Sequence, residues 1–248
     1  MAAATTRDLG DNILLAKLRD EDRARLHPHL SSHDLHPGDI LQKAGDEVND
    51  TWFPCGPAIA SFQIWADDDN GAVEVAMIGR EGAIGGIVSN GRVPAYATAQ
   101  VRAGGRFLRI RTAVLEQVKL ESLPLRHWFS RYSDCLIAQI FQNSACNASH
   151  TITQRAAKWL LAASARTGST EVALTQEQLA QMLGVGRTFV TRIVRQLRED
   201  GLIATRRGVF ILQNIDGLKS RSCTCADSIE QHFEIVLDGV YPELRQSG

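Results

Sequence analysis

The segment from Thr175 to Leu212 constrains this chain more than any other, because it sets four local structures in a fixed order. Thr175-Gln176-Glu177-Gln178 opens an apolar run as a T-x-x-Q capping box, in which the threonine side chain accepts from an otherwise unpaired N–H and Gln178 reaches back. Leu179, Ala180, Met182 and Leu183 form the core face of the helix that follows, and Gly184-Val185-Gly186 breaks it. A second helix is predicted from Arg187 to Asp200, ended by Gly201. In it Val190, Ile193, Val194 and Leu197 share the inner face, leaving Arg187, Thr188, Thr191, Arg192, Arg195 and Arg198 on the outer face and ends. Leu202 to Thr205 and Val209 to Leu212 then bracket Arg206-Arg207-Gly208, the pattern of a two-stranded wing with cations at its tip.

A helix of this kind fits the major groove of duplex DNA. Arginine makes bidentate contacts to guanine, and threonine meets a thymine methyl or a base-edge polar group, mainly from the helix amino terminus. Arg187, Thr188, Thr191 and Arg192 are therefore the expected base readers, and Arg195, Arg198, Arg206 and Arg207 the expected phosphate contacts. Thr175 and Gln176, at the start of the preceding helix, complete the candidate set. Charge agrees with this placement. Residues 151–222 carry eleven bases against five acids, a net +6, whereas the whole chain is at −1 and the remainder thus at −7. The plainer alternative is a solvated cationic helix face, which the ordered succession of capped helix, glycine turn, Arg/Thr helix and basic hairpin disfavours.

The rest of the chain changes period twice. Residues 1–30 predict one or two short helices from Ile13, Leu14, Leu15, Leu18, Leu26 and Leu30. From about Ser31 to Arg111, short apolar runs alternate with turn clusters, and Asn70-Gly71 reads as a tight hairpin turn between Ala58 to Trp65 and Ala72 to Ile78. An antiparallel jelly-roll-like domain is expected over 31–111. Residues 112–147 return to helix, where Leu125, Trp128, Phe129, Tyr132, Cys135, Leu136, Gln139, Ile140 and Asn143 fall at three- and four-residue steps. That stripe either packs back on the β domain or, as favoured here, meets its own copy in a two-fold dimer. Residues 148–222 form the winged helix-turn-helix region and 223–248 a helical tail. The expected class is α+β: an N-terminal antiparallel jelly roll, a long dimerisation helix and a C-terminal winged helix-turn-helix.

Other chemistries find little support. No run approaches the roughly 18 apolar residues of a membrane span and no secretory signal opens the chain, so a cytoplasmic protein is expected. The five cysteines are an odd set and read as reduced thiols. His27, His29, His33 and His36 match no metal spacing. Cys223 and Cys225, if helical, project about 200° apart and cannot share an ion. No metal site, cofactor or catalytic site is expected, since nucleophile elbow, phosphate loop and metal-hydrolase helix are all missing from the sequence.

On these motifs the chain resembles the Crp/Fnr superfamily of bacterial transcription regulators. Leu174 to Arg187 is similar to the family's helix-turn-helix, and Val75 to Gly85 (VAMIGREGAIG) resembles a subgroup without a defined nucleotide ligand. Ala145-Cys146-Asn147, Gln154-Arg155, Lys158 to Leu161 and Cys223-Thr224-Cys225 match that subgroup too. The resemblance implies a cyclic-nucleotide-binding-type jelly roll, a homodimer and a near-palindromic duplex operator. RNA polymerase and an unidentified small-molecule effector are the other candidate partners. Cyclic AMP is not expected to act in the usual way, because Gly86 and Tyr96 stand where the ribose-binding glutamate and phosphate-binding arginine would fall. Arg80, Arg92 and Arg102 are expected to be solvated at the surface. Thr188 takes the place of a common acidic residue, so the operator of the best-known members does not carry over. The rival reading is a jelly-roll small-molecule or metal-binding protein, or an enzyme, whose winged helix serves protein contacts.

Overall fold

A computed structural model describes residues 2–3, 5–65, 72–87 and 93–238. The Asn70-Gly71 turn, Arg92 and the end of the expected tail lie outside the described residues. The amino-terminal region holds strand β1 (Ala2–Ala3) and helices α1 (Thr6–Gly10), α2 (Ile13–Ala16) and α3 (Asp20–Leu26). Asn12 caps α2 and, fully buried, donates to the Pro54 and Gly82 carbonyls at 2.8 and 3.0 Å, which fastens these helices to the β domain.

The β domain comprises β2 (Ser31–Leu35), β3 (Ile40–Gln42), β4 (Asp50–Pro54), β5 (Ile59–Trp65), β6 (Ala72–Ile78), β7 (Thr98–Ala103) and β8 (Gly105–Arg111). Among the described residues these form two antiparallel sheets, ordered β1-β2-β8-β4 and β3-β7-β5-β6. Small residues, Ala58, Ala60, Ala76 and Ala99, with Ile78, Val101 and Phe107, fill the space between the sheets. Alternation of side chains across the pleat gives each strand one inward face.

Helix α4 (Thr112–Glu121) leads into the long α5 (Leu123–Ser149), capped by Ser122, whose hydroxyl accepts from the Leu125 N–H. Here one expectation is corrected. The stripe Leu125, Trp128, Phe129, Tyr132, Cys135, Gln139 and Asn143 is buried against the chain's own amino-terminal helices and β domain, not offered to a second copy. The reason is polar as well as apolar. The Trp128 indole donates to the Leu14 carbonyl at 3.1 Å, and the Tyr132 hydroxyl donates to the Ala83 carbonyl at 3.1 Å while accepting from its N–H at 2.9 Å. Gln139 and Asn143 donate to the Met77 and Val75 carbonyls, each at 3.0 Å. These donors find matching acceptors only in the folded chain. The opposite face of α5 leaves Ile137, Ile140 and Phe141 exposed, Phe141 at 70%.

Beyond a break at His150, α6 (Ile152–Thr167) carries the chain into β9 (Glu171–Val172), α7 (Gln176–Leu183), α8 (Arg187–Glu199), β10 (Ile203–Arg206) and β11 (Val209–Leu212). The strands form a sheet ordered β10-β11-β9, and α9 (Ile215–Arg221) and α10 (Cys225–Leu237) complete the described chain. Ile59, Met77 and Ala103 of the β domain join the same apolar cluster as Trp159, Leu179, Met182 and Val190.

Tyr132 closes against the loop at Gly82, where an added Cβ would lie 2.2 Å from its hydroxyl. Tyr132→Phe leaves the buried Ala83 N–H and C=O without that partner and should cost about 1–3 kcal/mol of unfolding free energy by urea denaturation. An unchanged midpoint would show that water replaces the hydroxyl.

Candidate nucleic-acid interface

The helix-turn-helix is built from local chemistry. The Thr175 side chain accepts from the Gln178 N–H at 3.1 Å and Gln178 accepts from the Thr175 N–H at 2.8 Å, closing the capping box. Gly184, at φ +64°, takes the left-handed C-cap that other residues rarely adopt, and Gly186 precedes α8. Val190, Ile193, Val194 and Leu197 are buried, which fixes the opposite face outward.

Arg187, Thr188, Thr191, Arg192, Arg195 and Arg198 are all exposed on α8. Thr191 donates either to the Gln176 side chain at 3.2 Å or to the Arg187 carbonyl at 3.1 Å, so the first helix steadies the second. The Arg192 guanidinium lies 5.2 Å from the centre of the half-exposed Phe189 ring, an arrangement that limits its rotamers while leaving its N–H groups free to point outward. Arg195 is 3.7 Å from Glu199 at 74% side-chain exposure, a loose pair that solvent screens. At the wing tip Arg207 is exposed beside Gly208, whereas Arg206 is bound to Glu171 across the sheet. Arg206 is thus less available than the sequence suggests, although Glu171 also holds it at the wing.

Several cations counted in the basic stretch face inward. Arg155 donates to the Leu183 carbonyl at 2.7 Å, Lys158 to Asn143 at 2.9 Å, and Arg166 to Glu81 at 2.8 Å. Burial holds the Arg155 guanidinium below the usual arginine range. The positive surface therefore concentrates on α8 and the wing.

Residues 154–221 match the family model of the Crp-like helix-turn-helix domain. This part of the chain is a Crp-like helix-turn-helix domain. No curated protein sequence matches the chain. Among solved structures it is similar to FixK2 of Bradyrhizobium japonicum at 14% identity and TM-score 0.66, covering 78% of this chain and 98% of that one. The c-di-GMP responsive global regulator CLP of Xanthomonas campestris matches at 15% identity and TM-score 0.63, over 78% of this chain and 99% of CLP. A Crp-family transcriptional regulator of Thermus thermophilus matches at 17% identity and TM-score 0.64, over 77% and 96% of the two chains. These likenesses show the fold.

Gly86 and Tyr96 are the positions that the resemblance sets against a nucleotide pocket. Gly86 has φ +36°, and an added Cβ there would lie 2.2 Å from the Thr112 methyl, so Thr112 occupies the space a side chain would need. Tyr96 is 85% exposed. Arg102 corrects another expectation: it is buried in the β domain, paired with Glu74 and donating to Ser61 at 2.9 Å. Burial pushes the Glu74 carboxyl from 4.5 up to about 7, with Arg102 and Ser61 opposing.

The histidines do not converge. His33 meets Ser31 at 3.0 Å and stands edge-on to Trp52, and His36 is exposed near Asp39. The cysteines overturn the geometric argument against a shared ion. Cys223 lies in the loop before α10, not in a helix, so the 200° divergence does not arise. Its side chain meets those of Cys146, His150 and Cys225, and burial raises its thiol to about 11. Cys146 was visible only as part of the resemblance, and His150 carried no sequence signal.

The Glu74 shift has a defined sign. Folded Glu74 keeps a proton that the unfolded chain has already lost between pH 4.5 and about 7. Stability should therefore fall with rising pH through that window, by up to about 3 kcal/mol, and level off above it. Denaturation followed against pH should show this slope, and Glu74→Gln should flatten it; an equal slope in the variant would assign the titration to another group.

Proposed function

We propose that this chain is a transcription regulator of the Crp/Fnr superfamily that binds a near-palindromic duplex operator as a homodimer. Residues 148–222 act as its DNA-binding part and 31–111 as its sensor part. The observation that carries this reading is the exposed Arg187-Thr188-Thr191-Arg192 end of α8, held out from a buried apolar face and braced by Gln176. Arg187, Thr188, Thr191 and Arg192 read bases, with Thr175 and Gln176 beside them at the start of α7. Arg195, Arg198, Arg206 and Arg207 hold phosphates. Among the described residues no helix is long and apolar enough to cross a membrane, and we place the protein in the cytoplasm with its DNA. RNA polymerase and a small-molecule effector are its further candidate partners. No catalytic step is assigned to it.

The dimer forms through the exposed side of α5. Ile137, Ile140 and Phe141 lie at three- and four-residue steps, the spacing by which one helix lays a stripe against its two-fold mate. Two recognition helices would then stand about 34 Å apart, one DNA turn. Phe141→Asp should convert the dimer to monomer in sedimentation velocity; a variant that stays dimeric would move the interface elsewhere.

Selection from a random duplex pool, followed by affinity for the winning and scrambled sites at two salt concentrations, tests the reading. A near-palindrome bound at least ~10³-fold more tightly than the scrambled site is expected. Arg192→Ala should lose about 1–3 kcal/mol at one base of each half-site and relax its preference, whereas Arg207→Ala should weaken all sequences alike and flatten the salt dependence. Identical behaviour of the two variants on matched and scrambled sites would overturn the division of roles, and sequence-blind binding the whole assignment.

A further inference from the structure

Cys146 and His150 end α5, and Cys223 and Cys225 lie where α9 passes into α10, after the winged helix. Their four donor atoms all lie within 4.8 Å of one another. The Cys146 and Cys223 sulfurs are 3.6 Å apart, and the Cys225 sulfur is 3.6 Å from His150 Nδ1. A tetrahedral zinc ion with Zn–S near 2.3 Å and Zn–N near 2.05 Å requires about 3.8 Å between sulfurs and about 3.6 Å between sulfur and nitrogen. The cysteines are buried and His150 half-buried, so the four groups converge out of bulk water.

We propose that this cluster is a structural Zn2+ site of three thiolates and one imidazole, which clamps the end of the long helix to the exit of the DNA-binding region. Soft thiolates with one imidazole in a closed tetrahedron suit zinc better than oxygen-seeking cations. Convergence within 4.8 Å fits a single ion, since a cluster of several irons spreads its ligands further apart. Binding releases the three thiol protons to solvent and leaves the zinc-thiolate group with one net negative charge.

Two neighbours are arranged for that charge. Gln142 donates to the Cys225 sulfur at 3.2 Å, a bond that favours thiolate over thiol. Arg155, one helical turn into α6, lies where thiolate charge at Cys146 and Cys223 would favour its guanidinium, and its buried Nε has no hydrogen-bond partner among the described residues. A buried guanidinium beside neutral thiols is poorly compensated, and beside an anionic zinc centre it is satisfied. A Cys146–Cys223 disulfide would use two of these groups and leave the convergence of Cys225, His150 and Gln142 without a purpose.

The site lies across the break at His150 between α5 and α6, so the ion would set the angle at which the winged helix is presented. That consequence rests on the regulator reading; the metal assignment does not, and its test uses no DNA. Full-length protein purified with a reductant and without chelator should carry about one zinc per chain by plasma mass spectrometry. Exchange with Co2+ should give thiolate charge-transfer absorption and the strong visible bands of tetrahedral cobalt. His150→Ala and Cys225→Ser should lose the ion while circular dichroism reports a folded chain, and a strong chelator should lower the unfolding midpoint of the unaltered protein. If either variant fails to fold, cobalt titration of the unaltered protein decides alone. Folded protein that takes up neither Zn2+ nor Co2+ in excess overturns the proposal, as does a Cys146–Cys223 disulfide that persists in reductant or an iron cluster in place of a single ion.

Discussion

The architecture depends on how the edge of one sheet is closed. In the order β3-β7-β5-β6, strand β6 pairs with β5 on one side only, and its other side presents main-chain carbonyls that need donors. An exposed edge of this sort invites another strand, and proteins commonly cover it. Here α5 covers it with side-chain amides, Gln139 on Met77 and Asn143 on Val75, two residues apart on the strand and four apart on the helix. Each amide in turn needs its carbonyl oxygen answered, and Lys158 of α6 answers that of Asn143. One hydrogen-bonded chain thus runs from the β domain through the long helix into the helix that leads to the helix-turn-helix.

The apolar contacts follow the same route. Ile59, Met77 and Ala103 face away from the sandwich interior and complete the core under α6, α7 and α8. Gly184, whose left-handed turn ends α7, sits with its Cβ position 3.8 Å from the Val73 methyl. A shift of β6 would therefore be felt at the turn that sets α8 against α7, because close-packed interfaces transmit displacement and do not absorb it. This offers a physical path between the two halves without a ligand spanning them.

How much of this was legible in the residues differs by level. The capped helix, the glycine turn and the buried face of α8 depend on neighbours three or four positions away, and sequence periodicity reads them well. Gln139 and Asn143 were visible only as polar members of an apolar stripe, because the carbonyls they meet lie more than sixty residues earlier. For the same reason the stripe suggested a dimer: period shows that a face is buried and not against what. Lys158, Arg155 and Arg166 counted as surface charge for want of any local sign that Asn143, Leu183 and Glu81 would receive them. The cysteine geometry failed on a narrower point, the assumption that Cys223 continues the helix of Cys225, when the chain turns between them.

These departures bear on how such a protein could respond to a signal. Gly86, in left-handed backbone, is packed under Thr112 with no room for a side chain, and Arg102 is held inside the sandwich against Glu74. Arg102 cannot turn to an incoming phosphate without leaving that buried contact, and removing one partner of a buried pair costs several kcal/mol. A second set of buried polar groups lies at the junction of α5, α6 and α10, where Arg155 Nε has no hydrogen-bond partner among the described residues and three buried sulfurs face one imidazole. Because the polar chain through Gln139, Asn143 and Lys158 joins the β domain to this junction, a change at either end is felt along α5 and α6.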